Sequence, residues 1–238
     1  MKGFGTSTYL FLMLVLPPLA RSEVRLEVQH DHWIGSCKGT LVFSEEQVEY
    51  TTSDLEDART WSYQDIQQVG LLGPKRLSLV TYEDRKSHLG KDKIFNFDIL
   101  KGELSTSLLA FLRSRMARPV VSSVLPSDLE DLKYEIPVKH QHALGGCQGV
   151  LRIGNEQLIY RTSHESHSRA WTYQDISAIG STGPFQVRVT ALDRVGGEIG
   201  AERTFIFSLK ERLSTEIYDY LWWKVNPTVR SAYRKPDP

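Results

Sequence analysis

Apolar and polar residues alternate along most of the chain, and this period of two predicts strands. Val24, Leu26 and Val28 share one face of an opening strand. Cys37, Gly39, Leu41 and Phe43 share a face of the next, with Lys38 and Thr40 opposite. Ser44 to Gln47 reads as a turn, a place that Gly154-Asn155 takes later in the chain. Shorter strands are predicted over Val48 to Ser53, Arg59 to Tyr63 and Ile66 to Gly70. After a break at Gly73-Pro74, a stronger strand begins with Leu77, Leu79 and Thr81 on one face and Ser78, Val80 and Tyr82 on the other. A polar hairpin follows, and Phe95 and Phe97 mark the last strand, for a total of about seven. The period then changes: Leu104, Leu108, Phe111 and Leu112 recur at helical spacing and predict a helix that plugs the open end of the sheet.

The whole pattern then occurs again. Val28 to Gly39 (VQHDHWIGSCKG) matches Val138 to Gly149 (VKHQHALGGCQG) at an offset of 110, and 21 of the 47 positions from Val28 to Pro74 are identical. The match runs on through Phe95 and Phe97 against Phe205 and Phe207, loses one residue, and resumes at Leu100-Lys101 against Leu209-Lys210. The second helix carries Leu213, Ile217, Tyr220 and Leu221 at the equivalent places. A period this long means two domains rather than a solenoid. The expected boundaries are a first domain at 23–116, a linker at 117–133, a second domain at 134–226 and a disordered tail at 227–238. The linker assignment rests on Pro119, Pro126, two serines and an acidic cluster. Tyr218 and Trp222 form a second stripe on the last helix where the first copy has Leu109 and Arg113, and this stripe is expected to pack the copies together.

Residues 1–22 read as a secretory signal peptide: Lys2, the apolar run Tyr9 to Leu16, then Ala20-Arg21-Ser22 with small residues at the cleavage positions. The run is shorter than the roughly 20 residues of a membrane helix. The expected location is therefore exported, periplasmic or extracellular. Charge adds one exclusion. Lys+Arg and Asp+Glu are both 29, and a neutral balance argues against a nucleic-acid partner.

Mainly β domains with one C-terminal helix each, and the pieces Cys37-x-Gly39-x-Leu41, Trp61-x-Tyr63-x-Asp65-Ile66 and Phe205-x-Phe207-x-Leu209-Lys210, resemble bacterial members of the pleckstrin-homology-like (PH/GRAM-like) group. The resemblance covers nearly all of both copies. It implies tandem PH-like barrels and a binding or assembly module rather than an enzyme. Lipid-binding PH domains use a basic loop between the first two strands. Ile34-Gly35-Ser36 and Leu144-Gly145-Gly146 hold no basic cluster, which speaks against a phosphoinositide ligand.

Three groups of residues are candidates for function. His30, His32 and Cys37, repeated as His140, His142 and Cys147, are ligand types that zinc accepts. His164 and His167 add two more in the second copy, where the first has Asp54 and Asp57. No fourth ligand is visible in both copies, and Cys37 runs in phase with Leu41 and Phe43. The reading adopted is structural, with no metal or other cofactor: hydrogen-bonded histidines and a buried thiol. Cys37 and Cys147 are alternatively partners in one inter-domain disulfide, provided the two strands approach. Arg59, Trp61 and Tyr63, repeated as Arg169, Trp171 and Tyr173, share a strand face and form either an aromatic binding platform or corner packing, with Asp65 and Asp175 capping the turn that follows. The hairpin from Lys75 to Lys93 has six basic and three acidic residues, an excess the second copy lacks, and it could serve an anionic membrane or glycan surface. No Gly-x-Ser-x-Gly, phosphate loop or His-Glu-x-x-His occurs. The function expected is an exported, non-enzymatic module for a protein partner. The rivals are a metal-dependent enzyme built on the histidines and cysteines, and a surface binder using the hairpin.

Overall fold

The structure, a computed structural model, describes residues 23–32, 35–85, 88–126, 131–193 and 202–228, with only the backbone at 85 and 88–90. The signal segment at 1–22 and the tail beyond 228 lie outside the described residues.

The first copy comprises Val24–Asp31 (β1), Ser36–Phe43 (β2), Gln47–Thr52 (β3), Arg59–Ser62 (β4), Ile66–Leu71 (β5), Arg76–Arg85 (β6), His88–Lys101 (β7) and Thr106–Arg115 (α1). Its strands pair antiparallel in the order β4-β3-β2-β1-β7-β6-β5. A short strand, Val120–Ser122 (β8), extends the β5 edge in parallel. The second copy repeats the plan with Tyr134–Gln141 (β9), Gly146–Ile153 (β10), Gln157–Thr162 (β11), Arg169–Thr172 (β12), Ile176–Gly180 (β13), Gln186–Ala191 (β14), Arg203–Leu209 (β15) and Thr215–Val225 (α2), in the order β12-β11-β10-β9-β15-β14-β13. Seven antiparallel strands closed by a helix, built twice, are the tandem PH-like architecture that the repeat predicts.

Alternation sets which way each strand faces. Leu26, Val28 and His30 of β1 are buried while Arg25 and Glu27 are exposed. Each sheet curls around its own core, which in the first copy includes Leu41, Phe43, Tyr50, Phe95 and Phe97, and burying each such side chain contributes about 1.5–3 kcal/mol. The helices start where a serine caps them: Ser105 Oγ accepts from the Leu108 N–H and Ser214 Oγ from the Ile217 N–H, both at 3.2 Å. Leu108 and Leu112 then enter the first core, and Leu221 the second.

Two expectations about the join are corrected. Residues 117–133 are not simply an extended linker. Pro119 cannot continue α1, and the β-branched Val120-Val121 pair that follows fills the unpaired edge of β5, with Val69 opposite Val120. Ser123 anchors this strand: its N–H and its Oγ both donate to the Leu71 carbonyl, at 2.9 and 3.1 Å. The Tyr218/Trp222 stripe does not join the copies either. Trp222 packs, half-buried, on its own core. The cross-copy contact comes from α1 through Arg113, the residue at the Trp222 place, whose Nη2 donates to the Ala170 carbonyl at 3.0 Å. Burial pulls this guanidinium below its ordinary pKa, with Asp175 opposing.

The covered surface of the second copy is the outer face of β11 and β12. Leu125 packs on buried Ile159 and Ala170, Arg161 Nη2 donates to the Pro126 carbonyl at 2.7 Å, and Gln68 Nε2 donates to the Leu192 carbonyl at 2.9 Å. In the first copy the positions of Ile159 and Ala170 hold Glu49 and Thr60. The repeat thus departs from itself where one copy is covered and the other is not. Placing the first copy's residue there, Ile159→Glu, should bury an unpaired carboxylate and weaken the docking on the order of 3 kcal/mol. Small-angle scattering should then report a larger radius of gyration, and an unchanged radius would refute this account of the interface.

Candidate functional site

The site is assembled by two adjoining hairpins in each copy. Glycine turns link β1 to β2 and β9 to β10: Gly35 and Gly145 sit at φ 85° and 86°, a region glycine enters without strain. Their carbonyls accept the His32 and His142 N–H groups at 3.0 and 3.1 Å. The turns place His30 opposite Cys37 and His140 opposite Cys147 in register. They also bring His32 Nε2 to 3.0 Å from Cys37 Sγ, and His142 Nε2 to 3.2 Å from Cys147 Sγ.

A third group arrives on the loop after β3 or β11. In the first copy Asp57 Oδ2 lies 3.2 Å from His32 Nε2. In the second, His167, which occupies the position equivalent to Asp57, puts Nδ1 3.1 Å from Cys147 Sγ. The ligand atoms of His142, Cys147 and His167 all fall within 4.8 Å of one another, as do those of His30, His32 and Cys37. His164 stands behind His167, with ring centroids 5.6 Å apart.

Arg59 and Arg169 position that loop. Arg169 Nη1 donates to the carbonyls of Ser166 and Ser168, at 2.7 and 2.8 Å, one on each side of His167. Arg59 Nη1 likewise donates to the carbonyls of Glu56 and Ala58, on either side of Asp57. Each guanidinium is held in turn by an acid on, or just beyond, a distant strand of the same sheet. Arg169 Nε donates to Asp193 Oδ2 at 2.9 Å in a fully buried pair, while Arg59 Nε meets Glu83 Oε2 at 3.5 Å in a partly exposed one. This explains why Arg recurs at that spacing in both copies.

The rest of that motif is not a surface platform. Trp61, Trp171, Tyr63 and Tyr173 are all buried. The Tyr63 hydroxyl donates to the Ser44 carbonyl at 2.6 Å and Tyr173 to Gly154 at 2.7 Å. Burial pushes Tyr63 up to about 12 and raises Tyr173 further. Asp65 Oδ2 accepts from the Ser62 N–H at 3.1 Å and Asp175 from the Thr172 N–H at 3.0 Å, which closes the corner.

Behind the convergent atoms stands an aromatic wall. His30 is buried, packs edge-on against His32 at 4.6 Å between centroids, and rests on Phe95 and Phe97; His140 repeats this at 4.4 Å from His142. Burial, then the neighbouring histidine, pulls both inner imidazoles down to about 4, so they are neutral near pH 7. Their Nδ1 atoms have no hydrogen-bond partner among the described residues. Tyr50 crosses β2 where Gly39 leaves room: a Cβ there would strike the Thr51 carbonyl and the Tyr50 ring, and Gly149 does the same for Tyr160. The Tyr50 hydroxyl reaches Cys37 Sγ at 3.0 Å, while Tyr160 donates to the Cys147 carbonyl at 2.8 Å. Burial and then the thiol raise the Tyr50 pKa, so the hydroxyl keeps its proton.

Both cysteines are free, each held in its own copy's cluster, so there is no inter-domain disulfide. Sequence reasoning named Asp57 and His167 but could not place Asp57 beside His32 or His167 beside Cys147, because the connection depends on how the loop is clamped. It missed Glu83, Asp193 and Tyr50 as supports. Within the basic hairpin, Arg76 Nε is 3.5 Å from Asp98 Oδ1 and the Lys93 ammonium lies over the Phe95 ring at 4.4 Å.

No family model matches the chain, and no curated protein matches it. Among solved structures, the structure of the Spt16D Pob3N heterodimer aligns with 79% of this chain and 96% of that one, at 10% identity and a TM-score of 0.27. The fold assignment rests on the strand order and helix placement above.

The copies differ in how the arginine acid is used. In the first, Glu83 bridges two groups, since its Oε1 also accepts from Trp61 Nε1 at 2.8 Å. Asp193 is one methylene shorter, and both Trp171 Nε1 and Asp193 Oδ1 are buried without a partner among the described residues. Asp193→Glu should supply the missing bond and stabilise the chain by about 1 kcal/mol, read as a raised melting temperature. A lower melting temperature would show instead that the second core has no room for the methylene.

Proposed function

We propose that the chain is an exported, non-enzymatic member of the bacterial PH/GRAM-like group that binds an extended segment of a protein partner along the free edge of its second copy. The observation that carries this is an asymmetry between equivalent edges. The outer edge of β5 takes β8 in parallel, whereas no described strand pairs with the outer edge of β13. An open edge presents unpaired N–H and C=O groups, and strand addition satisfies them.

The surroundings support an apolar occupant. Trp222, Trp223 and Val225 of α2 are half-exposed where α1 has Arg113, Ser114 and Met116, and α2 packs directly on β13. The strand that fills the β5 edge, Val-Val-Ser, supplies the template: β-branched residues in an extended backbone. Export is supported by the charged, apolar and small-residue pattern of 1–22. The neutral overall charge supports a protein ligand over a polyanion.

A synthetic peptide spanning Pro119 to Leu125 is a direct probe of the edge. It is expected to shift the backbone amide resonances of Ile176–Gly180 and the indole signals of Trp222 and Trp223 in the full chain. Absence of shifts in both the full chain and a chain ending at Thr228 would refute the edge as a binding site. Shifts only in the shortened chain would identify the chain's own tail as the occupant and overturn the external partner.

A further inference from the structure

We propose that each copy holds one zinc ion, bound by His30, His32 and Cys37 in the first copy and by His142, Cys147 and His167 in the second. This stands on the geometry of the two clusters and is independent of the strand-binding proposal above.

The first reason is convergence. The ligand atoms of His30, His32 and Cys37 lie within 4.8 Å of one another, as do those of His142, Cys147 and His167. His32 Nε2 is 3.0 Å from Cys37 Sγ, and Cys147 Sγ meets His142 Nε2 at 3.2 Å and His167 Nδ1 at 3.1 Å. Buried His30 keeps an Nδ1 with no hydrogen-bond partner among the described residues.

The second reason is recurrence. A set of two histidines and one cysteine forms in both copies although its third member comes from a different element, His30 from β1 in the first and His167 from the clamped loop in the second. These are ligand types that zinc accepts.

The third reason is fit. Zn–S of about 2.3 Å and Zn–N of about 2.0 Å at tetrahedral angles put sulfur and nitrogen about 3.5 Å apart. The observed separations of 3.0 and 3.2 Å need only a few tenths of an ångström of opening. The sulfur and nitrogen ligands select zinc over magnesium or calcium, which take oxygen shells. Three protein ligands leave one coordination position. In the second copy His142 and His167 line a cavity of about 260 Å³ together with Leu72 and Arg76 of the first copy.

Full-length protein, stripped with chelator and dialysed against Zn2+, should retain two zinc ions per chain by elemental analysis. Cys37→Ala and Cys147→Ala should each retain one, and the double variant none. Because a cysteine variant could misfold, the unaltered chain provides a second measurement: Zn2+ should slow alkylation of both thiols by roughly tenfold or more, and Mg2+ should not. No zinc in the unaltered chain with unprotected thiols overturns the proposal. So does zinc that the double cysteine variant keeps. One zinc per chain, lost only with Cys147, would overturn the first-copy site and sustain the second.

Discussion

The arginine fork after the third strand is the constraint on which the site depends. A guanidinium has rigid donors, and Arg59 and Arg169 spend one nitrogen on two carbonyls that flank a single loop residue. Without that fork the loop carrying Asp57 or His167 has little to hold it against the hairpin that carries the thiol. The fork is fixed from behind by Glu83 or Asp193 on β6 or just beyond β14, so the sheet that closes the fold also aims the site. Buried ion pairs gain from such geometry only when the remaining donors and acceptors are also satisfied; the loop carbonyls take the Arg169 Nη1 donors, while Asp193 Oδ1 has no partner among the described residues.

The copies share this machinery and divide everything else. The first copy contributes α1, β8 and the segment that follows to the junction, and the second contributes an apolar outer face. Glu49 and Thr60 keep the equivalent face of the first copy polar. At the other end, α2 exchanges Arg113 and Ser114 for Trp222 and Trp223 beside a strand edge with which no described strand pairs. Among the described residues, one edge of the first copy and one face of the second are thus occupied.

Much of the fold was legible because the repeat printed the pattern twice. The strand faces, the closing helices and the corner closed by Asp65 and Asp175 follow from period and spacing alone. The join was not legible: Val120-Val121 is too short to read as a strand, and its pairing depends on an edge that only the folded sheet presents. The stripe at Tyr218 and Trp222 was visible, but helical spacing does not say which neighbour a face meets, and the contact belongs to Arg113 instead. At the site, His-x-His and Cys were plain. Asp57 and His167 were paired by position, but which of them reaches a thiol depends on how the clamped loop folds. The aromatic motif misleads in the opposite sense: Trp61 and Tyr63 look like a platform and lie in the core, while the arginine beside them does the positioning.

The central claim is that a thiol and two imidazoles converge on one cation in each copy. X-ray absorption at the zinc edge of the zinc-loaded full chain tests it most directly. The predicted spectrum has one sulfur scatterer at about 2.3 Å with nitrogen or oxygen scatterers at about 2.0 Å. A shell of nitrogen and oxygen alone, with no sulfur, would contradict it.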